Sequence, residues 1–300
     1  MRNALETYFP EQNSPDTVLG KNLSPEEKQA GLGKYTSKNE LQSYVDLLAI
    51  SNQVQPDATV PRLPTEYNSD PYVVMDSENP DTYMVVKVGN QWGAVGSSKG
   101  VSTDNAAVNG ILNGTGYAPG LMGVHVNYET QDTSLYTLYY NPTSNNILVD
   151  GWETFRDKLG FTTPVAQQLS QVLKGVQQSG KSVNWVAHSQ GGGIYSEAVR
   201  NSGQDLSKNS VVFHSGANNA IVTDYYLGQT NMNQQRKPDQ TYKNSSFDFV
   251  PNVLGLNGNP LEMIGSALAI PSLFADPLTS PHTLPPGWKP AAGNVQGGRP

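Results

Sequence analysis

Residues 181–195 read Lys-Ser-Val-Asn-Trp-Val-Ala-His-Ser-Gln-Gly-Gly-Gly-Ile-Tyr. The short apolar run from Val183 to Ala187 reads as a buried strand. It breaks at His188-Ser189-Gln190, and an apolar helical pattern resumes at Ile194 after Gly191 to Gly193. Strand, tight turn carrying a serine, then helix is the layout of a nucleophile elbow. Such a turn is strained and tolerates only small residues beside the serine. Gly191 supplies one side, and Ala187 stands where the G-x-S-x-G pattern has its first glycine. The elbow lifts the hydroxyl above the sheet edge. It also aims a helix N-terminus, with its partial positive charge, at the reacting carbonyl. A Gly-rich phosphate loop is the competing reading. No Lys-Ser/Thr pair follows the glycines, and no G-x-G-x-x-G with a later acidic residue is in register.

A serine hydroxyl needs a general base, and the base needs an acid to hold its tautomer. In elbow enzymes the chain order is Ser, then Asp or Glu, then His. Two histidines follow Ser189: His214 and His282. His282 lies in Ser-Pro-His-Thr-Leu-Pro-Pro, a turn-rich loop suited to reach over a sheet edge, and is the expected base. His214 ends a strand and is expected to line the substrate pocket. His188 sits beside the serine but points the wrong way for a base, and His125 is expected on the polar face of a helix. Asp248, in Ser-Ser-Phe-Asp-Phe-Val-Pro-Asn, is the preferred acid, expected at a strand end; Asp224 and Asp276 are weaker rivals. The oxyanion hole is expected from the backbone of Gln190 together with Gly110 or Ile111, in the loop Asn109-Gly110-Ile111.

The rest of the chain sets limits. It has 300 residues, enough for one large α/β domain with a smaller extension, and a formal charge of −7 without a basic cluster, so nucleic acid is not an expected partner. There is no cysteine, which excludes disulfides, thiolate metal sites and cysteine nucleophiles. No cofactor or metal is called for. No apolar core marks a signal peptide at the N-terminus, and no apolar run is long enough for a membrane span.

Residues 1–70 read as a helical extension and linker. Ser24-Pro25-Glu26-Glu27 and Ser37-Lys38-Asn39-Glu40 are capping boxes, and Pro56, Pro61 and Pro64 mark the linker. Residues 71–284 read as the catalytic domain. Strands are expected at Tyr72–Met75, at Tyr83–Val88 and Trp92–Val95 as a hairpin, and at Ala106–Val108, Leu135–Tyr140, Val211–Phe213 and Tyr242–Phe247. A helix is expected over Pro164–Val176. Alternating strands and helices argue a mostly parallel central sheet covered on both faces. Residues 285–300, rich in Pro and Gly, read as a disordered tail.

Between Asp248 and His282 runs Leu261-Glu262-Met263-Ile264-Gly265-Ser266-Ala267-Leu268-Ala269-Ile270, the most apolar stretch of the chain. Two accounts fit residues 254–274: a buried helix covering the sheet, or a lid that presents Met263, Ile264 and Leu268 to substrate at a lipid surface.

Ala-His-Ser-Gln-Gly-Gly, Phe-Asp-Phe-Val-Pro and Pro-His-Thr-Leu-Pro resemble α/β-hydrolases of the lipase and esterase type in order and local sequence. Val108-Asn109-Gly110-Ile111 and Tyr140-Asn141-Pro142-Thr143 resemble hydrolase-like domains near the C-termini of large bacterial haemagglutinin-type secreted toxins. The resemblance implies an α/β-hydrolase fold and a serine esterase acting on lipids, phospholipids or other carboxylic esters. The toxin likeness implies delivery outside the producing cell, membrane-surface contact without a span, and an immunity protein as partner. Two other readings stay open: a hydrolase-shaped binding or secretion module without turnover, and a peptidase or thioesterase on the same fold.

Overall fold

A computed structural model of the chain describes residues 75–142 apart from 77–78, 89–90, 99, 111–112, 116 and 132. It also describes 163–268 apart from 234–235 and 237, then 280, 282–285, 289–290 and 297–298. The N-terminal extension expected at 1–70 and the strand residues Tyr72–Val74 lie outside the described residues; Met75 is irregular rather than strand.

Seven strands form one mixed sheet. β1 (Asp81–Val88) and β2 (Gln91–Ser97) make the expected hairpin, with Val85 opposite Ala94 and Lys87 opposite Trp92. β3 (Asn105–Val108), β4 (Leu135–Tyr140), β5 (Val183–His188), β6 (Asn209–His214) and the two-residue β7 (Tyr242–Lys243) complete it. The spatial order is β2-β1-β4-β3-β5-β6-β7. β1 pairs antiparallel with β2 and β4, whereas β4-β3, β3-β5, β5-β6 and β6-β7 are parallel. The chain is therefore of α/β class, with a parallel body and an antiparallel edge.

Side-chain alternation divides the core into two layers. Val183, Trp185 and Ala187 of β5 face one cluster with Ala106 and Val108 of β3, while Val186 and Ala107 face the other. Helix α1 (Ala118–Thr130) covers that second face with Ala118, Met122 and Val126. On the first face lie α2 (Pro164–Ser179), α3 (Gln190–Ser202) and α4 (Ala220–Gln229). α2 starts where its sequence says it should: Thr163 Oγ1 accepts from Ala166 N at 3.2 Å, and Pro164 occupies the first turn. Its buried stripe is Ala166, Leu169, Leu173 and Val176, and Gly180 ends it at φ 72°.

The connectivity fixes where a ligand can reach the sheet. The chain leaves β3 through α1 for β4 on one side, then crosses through α2 to β5 on the other side of β3. The C-terminal ends of β3 and β5 therefore adjoin at a switch of winding direction, which is where open α/β sheets bind ligands.

Two expectations need correction downstream of β6. β7 stops at Lys243 instead of running to Phe247, and Asp248 does not end a strand. Asn244-Ser245-Ser246 favours a turn, closed by Asp248 N donating to Ser245 O at 3.1 Å. Asp248 then leads into a short helix α5, if the four residues Pro238–Thr241 before β7 are set aside as a single turn, that is π-helical over Val250–Leu254. The apolar segment forms helix α6 (Pro260–Leu268), started by a capping box in which Asn259 Oδ1 accepts from Leu261 N and Glu262 N and Glu262 Oε2 accepts from Asn259 N. α6 is not a buried covering helix: Leu261 is 81% exposed, Ile264 61% and Leu268 79%. In the tail expected at 285–300, Lys289–Pro290 pairs antiparallel with Gly297–Gly298; most of the remaining tail lies outside the described residues. Among the described residues no helix is long and apolar enough to cross a membrane.

Candidate active site

Ser189 sits between β5 and α3 with φ 57° and ψ −130°, a backbone conformation that costs a non-glycine residue about 1–3 kcal/mol and must be held by its surroundings. Three hydrogen bonds hold it. Ser189 N donates to His214 O at 3.2 Å, and Ser189 O accepts from Gly192 N at 3.0 Å and Ala217 N at 2.8 Å. The turn leaves no room for side chains around it. A Cβ on Gly191 would lie 2.6 Å from Val108 O, and one on Gly110 would collide with Ser189, 2.8 Å from its Oγ. Ala187, fully buried, fits where the pattern's first glycine stands.

The structure brings the three expected triad residues together across 93 positions of sequence. Ser189 Oγ lies 2.9 Å from His282 Nε2, and His282 Nδ1 lies 2.9 Å from Asp248 Oδ2. A carboxylate only accepts, so Asp248 holds the proton on Nδ1 and leaves Nε2 as an acceptor for the serine hydroxyl. Asp248 is fully buried, and its other oxygen accepts from Val250 N at 3.0 Å. One carboxylate oxygen thus faces His282 while the other caps the turn that follows. Asp224 lies elsewhere, on α4 and bonded to Tyr242 Oη at 2.7 Å, and Asp276 is outside the described residues.

Gln190 is the first residue of α3, so its amide lies in the positive N-terminal turn of that helix. Its side-chain Oε1 accepts from Asn141 Nδ2 at 2.8 Å. Asn141 N in turn donates to Asn109 Oδ1 at 2.8 Å, and Asn109 Nδ2 donates to Asn141 O at 2.9 Å and Gly110 O at 3.1 Å. The ends of β3 and β4 and the start of α3 are therefore braced together beside the serine. Ile111, the alternative oxyanion donor, lies outside the described residues.

His214 and His125 overturn their expected places. Neither is open to solvent; both are fully buried. His188 and His214 end adjacent parallel strands in register, so both rings project to the face covered by α1, which carries His125. The ring centroids of His125 and His188 are 4.5 Å apart, those of His125 and His214 5.0 Å, and those of His188 and His282 4.9 Å. All four histidines of the chain stand in one cluster. His188 Nε2 donates to His282 O at 2.8 Å, which turns it away from the serine as expected. Glu129 and Lys243, which the sequence did not single out, close the far end: Glu129 Oε1 accepts from His214 Nε2 at 2.7 Å and Lys243 Nζ at 2.6 Å. Burial pushes His125 and His188 well below the ordinary histidine pKa and also lowers His214, where Glu129 opposes it. Burial works to raise Glu129, but His214 and Lys243 outweigh it and bring it down to about 2.

These depressed values fix the sign of an acid effect. Unfolded histidines take up protons below about pH 6.5, and the buried ones resist doing so in the folded chain. Stability is therefore fully present above that pH and falls as pH drops through it. The urea midpoint should be lower at pH 5.5 than at pH 7.5; an unchanged midpoint would show that burial does not weaken proton binding by these rings.

Of the other residues expected at the substrate, Met263 is half-buried beside Gly258, whereas Ile264 and Leu268 are exposed. Phe247, next to the triad aspartate, is 63% exposed and packs against Gly265 of α6. Ser189 itself is only 2% exposed. Compared with known proteins, the chain matches no family model, no curated protein and no solved structure.

Proposed function

We propose that the protein is a serine hydrolase of the α/β-hydrolase type that cleaves carboxylic esters, with lipids or phospholipids as the favoured class. One observation carries the reading: an unbroken hydrogen-bond chain from Ser189 Oγ through His282 to buried Asp248, starting at a strained elbow. Ser189 attacks the ester carbonyl carbon while His282 Nε2 takes its proton. Asp248 stabilises the imidazolium that forms without itself becoming protonated. The oxyanion is held at the N-terminus of α3 by the Gln190 amide and by the amide of Gly110 or Ile111. His282 then returns the proton to the leaving alkoxide. Water, deprotonated by the same nitrogen, cleaves the acyl-enzyme and regenerates the serine.

A fluorophosphonate probe tests the reading directly, because only an activated serine attacks its phosphorus. Stoichiometric labelling of Ser189 in folded protein, lost after denaturation, is the expected result. Absence of labelling would favour a hydrolase-shaped module without turnover. The toxin likeness adds the proposal that the domain acts outside the cell that makes it and meets an immunity protein there.

The preference for lipid rests on Phe247, Leu261, Ile264 and Leu268, large apolar side chains exposed on and beside α6. The Asn252 Nδ2 to Ser266 Oγ bond, at 2.9 Å, ties this helix to the π-helical turn that follows Asp248. An apolar surface so close to the acid would let an acyl chain pass from an aggregate to the serine. Ile264→Asp with Leu268→Asp should lower turnover on mixed micelles at least about tenfold, since each buried apolar side chain contributes on the order of 2 kcal/mol to interfacial binding. Turnover on a soluble short-chain ester should change little. Equal loss on both substrates with a lower melting temperature would show a structural role only.

A further inference from the structure

The cluster behind the triad holds the base in place through its backbone. His282 O accepts from His188, and the next carbonyl, Thr283 O, accepts from His125 Nε2 at 3.1 Å. His125 Nδ1 meets His214 Nδ1 at 2.7 Å, and His214 Nε2 meets Glu129 Oε1 at 2.7 Å. Both ends of this two-ring chain are acceptors: a carbonyl at one end and, at the other, a carboxylate that His214 and Lys243 keep ionised. Each end needs an N–H, and the contact between the rings needs one N–H more. Two neutral imidazoles supply one N–H each, so a fully bonded chain carries one extra proton over the pair.

We propose that His125 and His214, anchored by Glu129, are positioning residues that hold the His282 loop by its Thr283 carbonyl, and that this hold is complete only when the two rings share one added proton. The role rests on the Ser189-His282-Asp248 reading. His188 makes no such demand: its Nε2–H serves His282 O, and its Nδ1 is buried without a hydrogen-bond partner, as a bare ring nitrogen should be. Among the described residues, the charged and titratable groups facing the pair are Glu129 and Tyr128 from α1, Lys243 from β7, His188 from β5 and His282 from the loop. Burial and the neighbouring rings weaken proton binding by the pair, while Glu129 strengthens it at His214. The extra proton therefore leaves below the ordinary histidine value. Once it has left, one of the three bonds is lost, and two lone pairs face each other if the lost bond is the one between the rings.

Glu129→Gln separates this mechanism from simple packing. Glu129 Oε1 also accepts from Lys243, so the comparison is made in a Lys243→Met background, where the new amide N–H is free to donate to His214 Nε2 and the whole chain closes with both rings neutral. The ratio of kcat for Lys243→Met/Glu129→Gln to kcat for Lys243→Met alone on a soluble ester should rise with pH, by about threefold to tenfold, the worth of one buried hydrogen bond. KM should not move. A ratio that is flat from pH 5 to pH 8 overturns the proposal. His125→Gln and His125→Asn supply a second test. Glutamine reaches Thr283 O as Nε2 does, whereas asparagine reaches only the His214 side. kcat should fall about threefold to tenfold for asparagine and stay within about twofold for glutamine. Equal kcat in the two variants overturns the role. Nitrogen-15 spectra of the ring nitrogens decide the proton count without any activity measurement: the pair should pass from three N–H protons to two as one unit. Two independent titrations, or none, overturn it. Failure of wild type to react with fluorophosphonate would instead sink the hydrolase reading, while the ring spectra still decide the proton count.

Discussion

Ser189→Ala should lower turnover on a soluble nitrophenyl ester by about 10⁴- to 10⁶-fold, with the fold retained. The size of the loss follows from the role, because no other hydroxyl shares the 2.9 Å contact with His282 Nε2 among the described residues. Retention of the fold follows from the elbow. Alanine carries a Cβ like serine, so it meets the same Gly110 neighbour and adopts the same φ of 57° at no added strain. What is lost on the stability side is one hydrogen bond, about 1 kcal/mol. His282→Ala should be about as damaging, and the double variant little worse than either, since nucleophile and base act as a unit. Near-normal turnover in purified Ser189→Ala would show that the nucleophile is misassigned. An inactive His214→Ala beside an active His282→Ala would overturn the choice of base.

The grouping of Ser189, His282 and Asp248 was legible from local signals and chain order. Ser189 follows a short apolar run and precedes small residues, and chain order leaves His282 as the histidine beyond the acid. Pro164 after Thr163 announced α2, and Gly89-Asn90 announced the hairpin at β1-β2. Helix α1 was not legible as an amphipathic stripe, because it is buried from Ala118 through Val126 and so has no polar face over that stretch. Its glycines look like breakers in sequence, yet Gly123 is where the Trp92 indole packs, close enough that a Cβ would lie 2.5 Å from the ring. β7 was overdrawn because Tyr242 to Phe247 carries aromatic ends around a turn-forming Asn-Ser-Ser. The exposure of α6 was one of two accounts the sequence left open, and the sequence did not decide between them. Hydrophobicity reports what a segment would gain from burial, not whether an element is present to bury it.

The histidine cluster hid for a different reason. Its bonds join positions 85, 89 and 158 residues apart, so no window of sequence contains two partners. A faint signal did exist. His188-Ser189 and His214-Ser215 each end a strand with the same dipeptide, and both serines have positive φ, 57° and 49°. Two strands that end alike and lie in parallel register place their last side chains side by side. What no sequence pattern supplied was the packing of His125, expected on a polar helix face, against them.

Asp248→Asn is the sharper probe of the acid and should cost about 10⁴-fold in kcat while leaving stability nearly unchanged. The substitution is almost isosteric. Asparagine Oδ1 can still accept from Val250 N, which preserves the cap that starts the π-helical turn. The amide nitrogen then faces His282 Nδ1 at the former carboxylate position and donates to it. A donor there requires a lone pair on Nδ1, which moves the ring proton to Nε2. The base then presents an N–H to Ser189 Oγ where it must present a lone pair, and the imidazolium formed on attack has no counter-charge. Both effects act on proton transfer and spare ester binding, so kcat should fall with KM nearly constant. Asp248→Ala should lose comparable activity and also stability, because it leaves the Val250 amide without its acceptor in a buried turn, a cost of about 1–3 kcal/mol. Full activity in Asp248→Asn, with an unchanged pH profile, would show that His282 takes its orientation from another group.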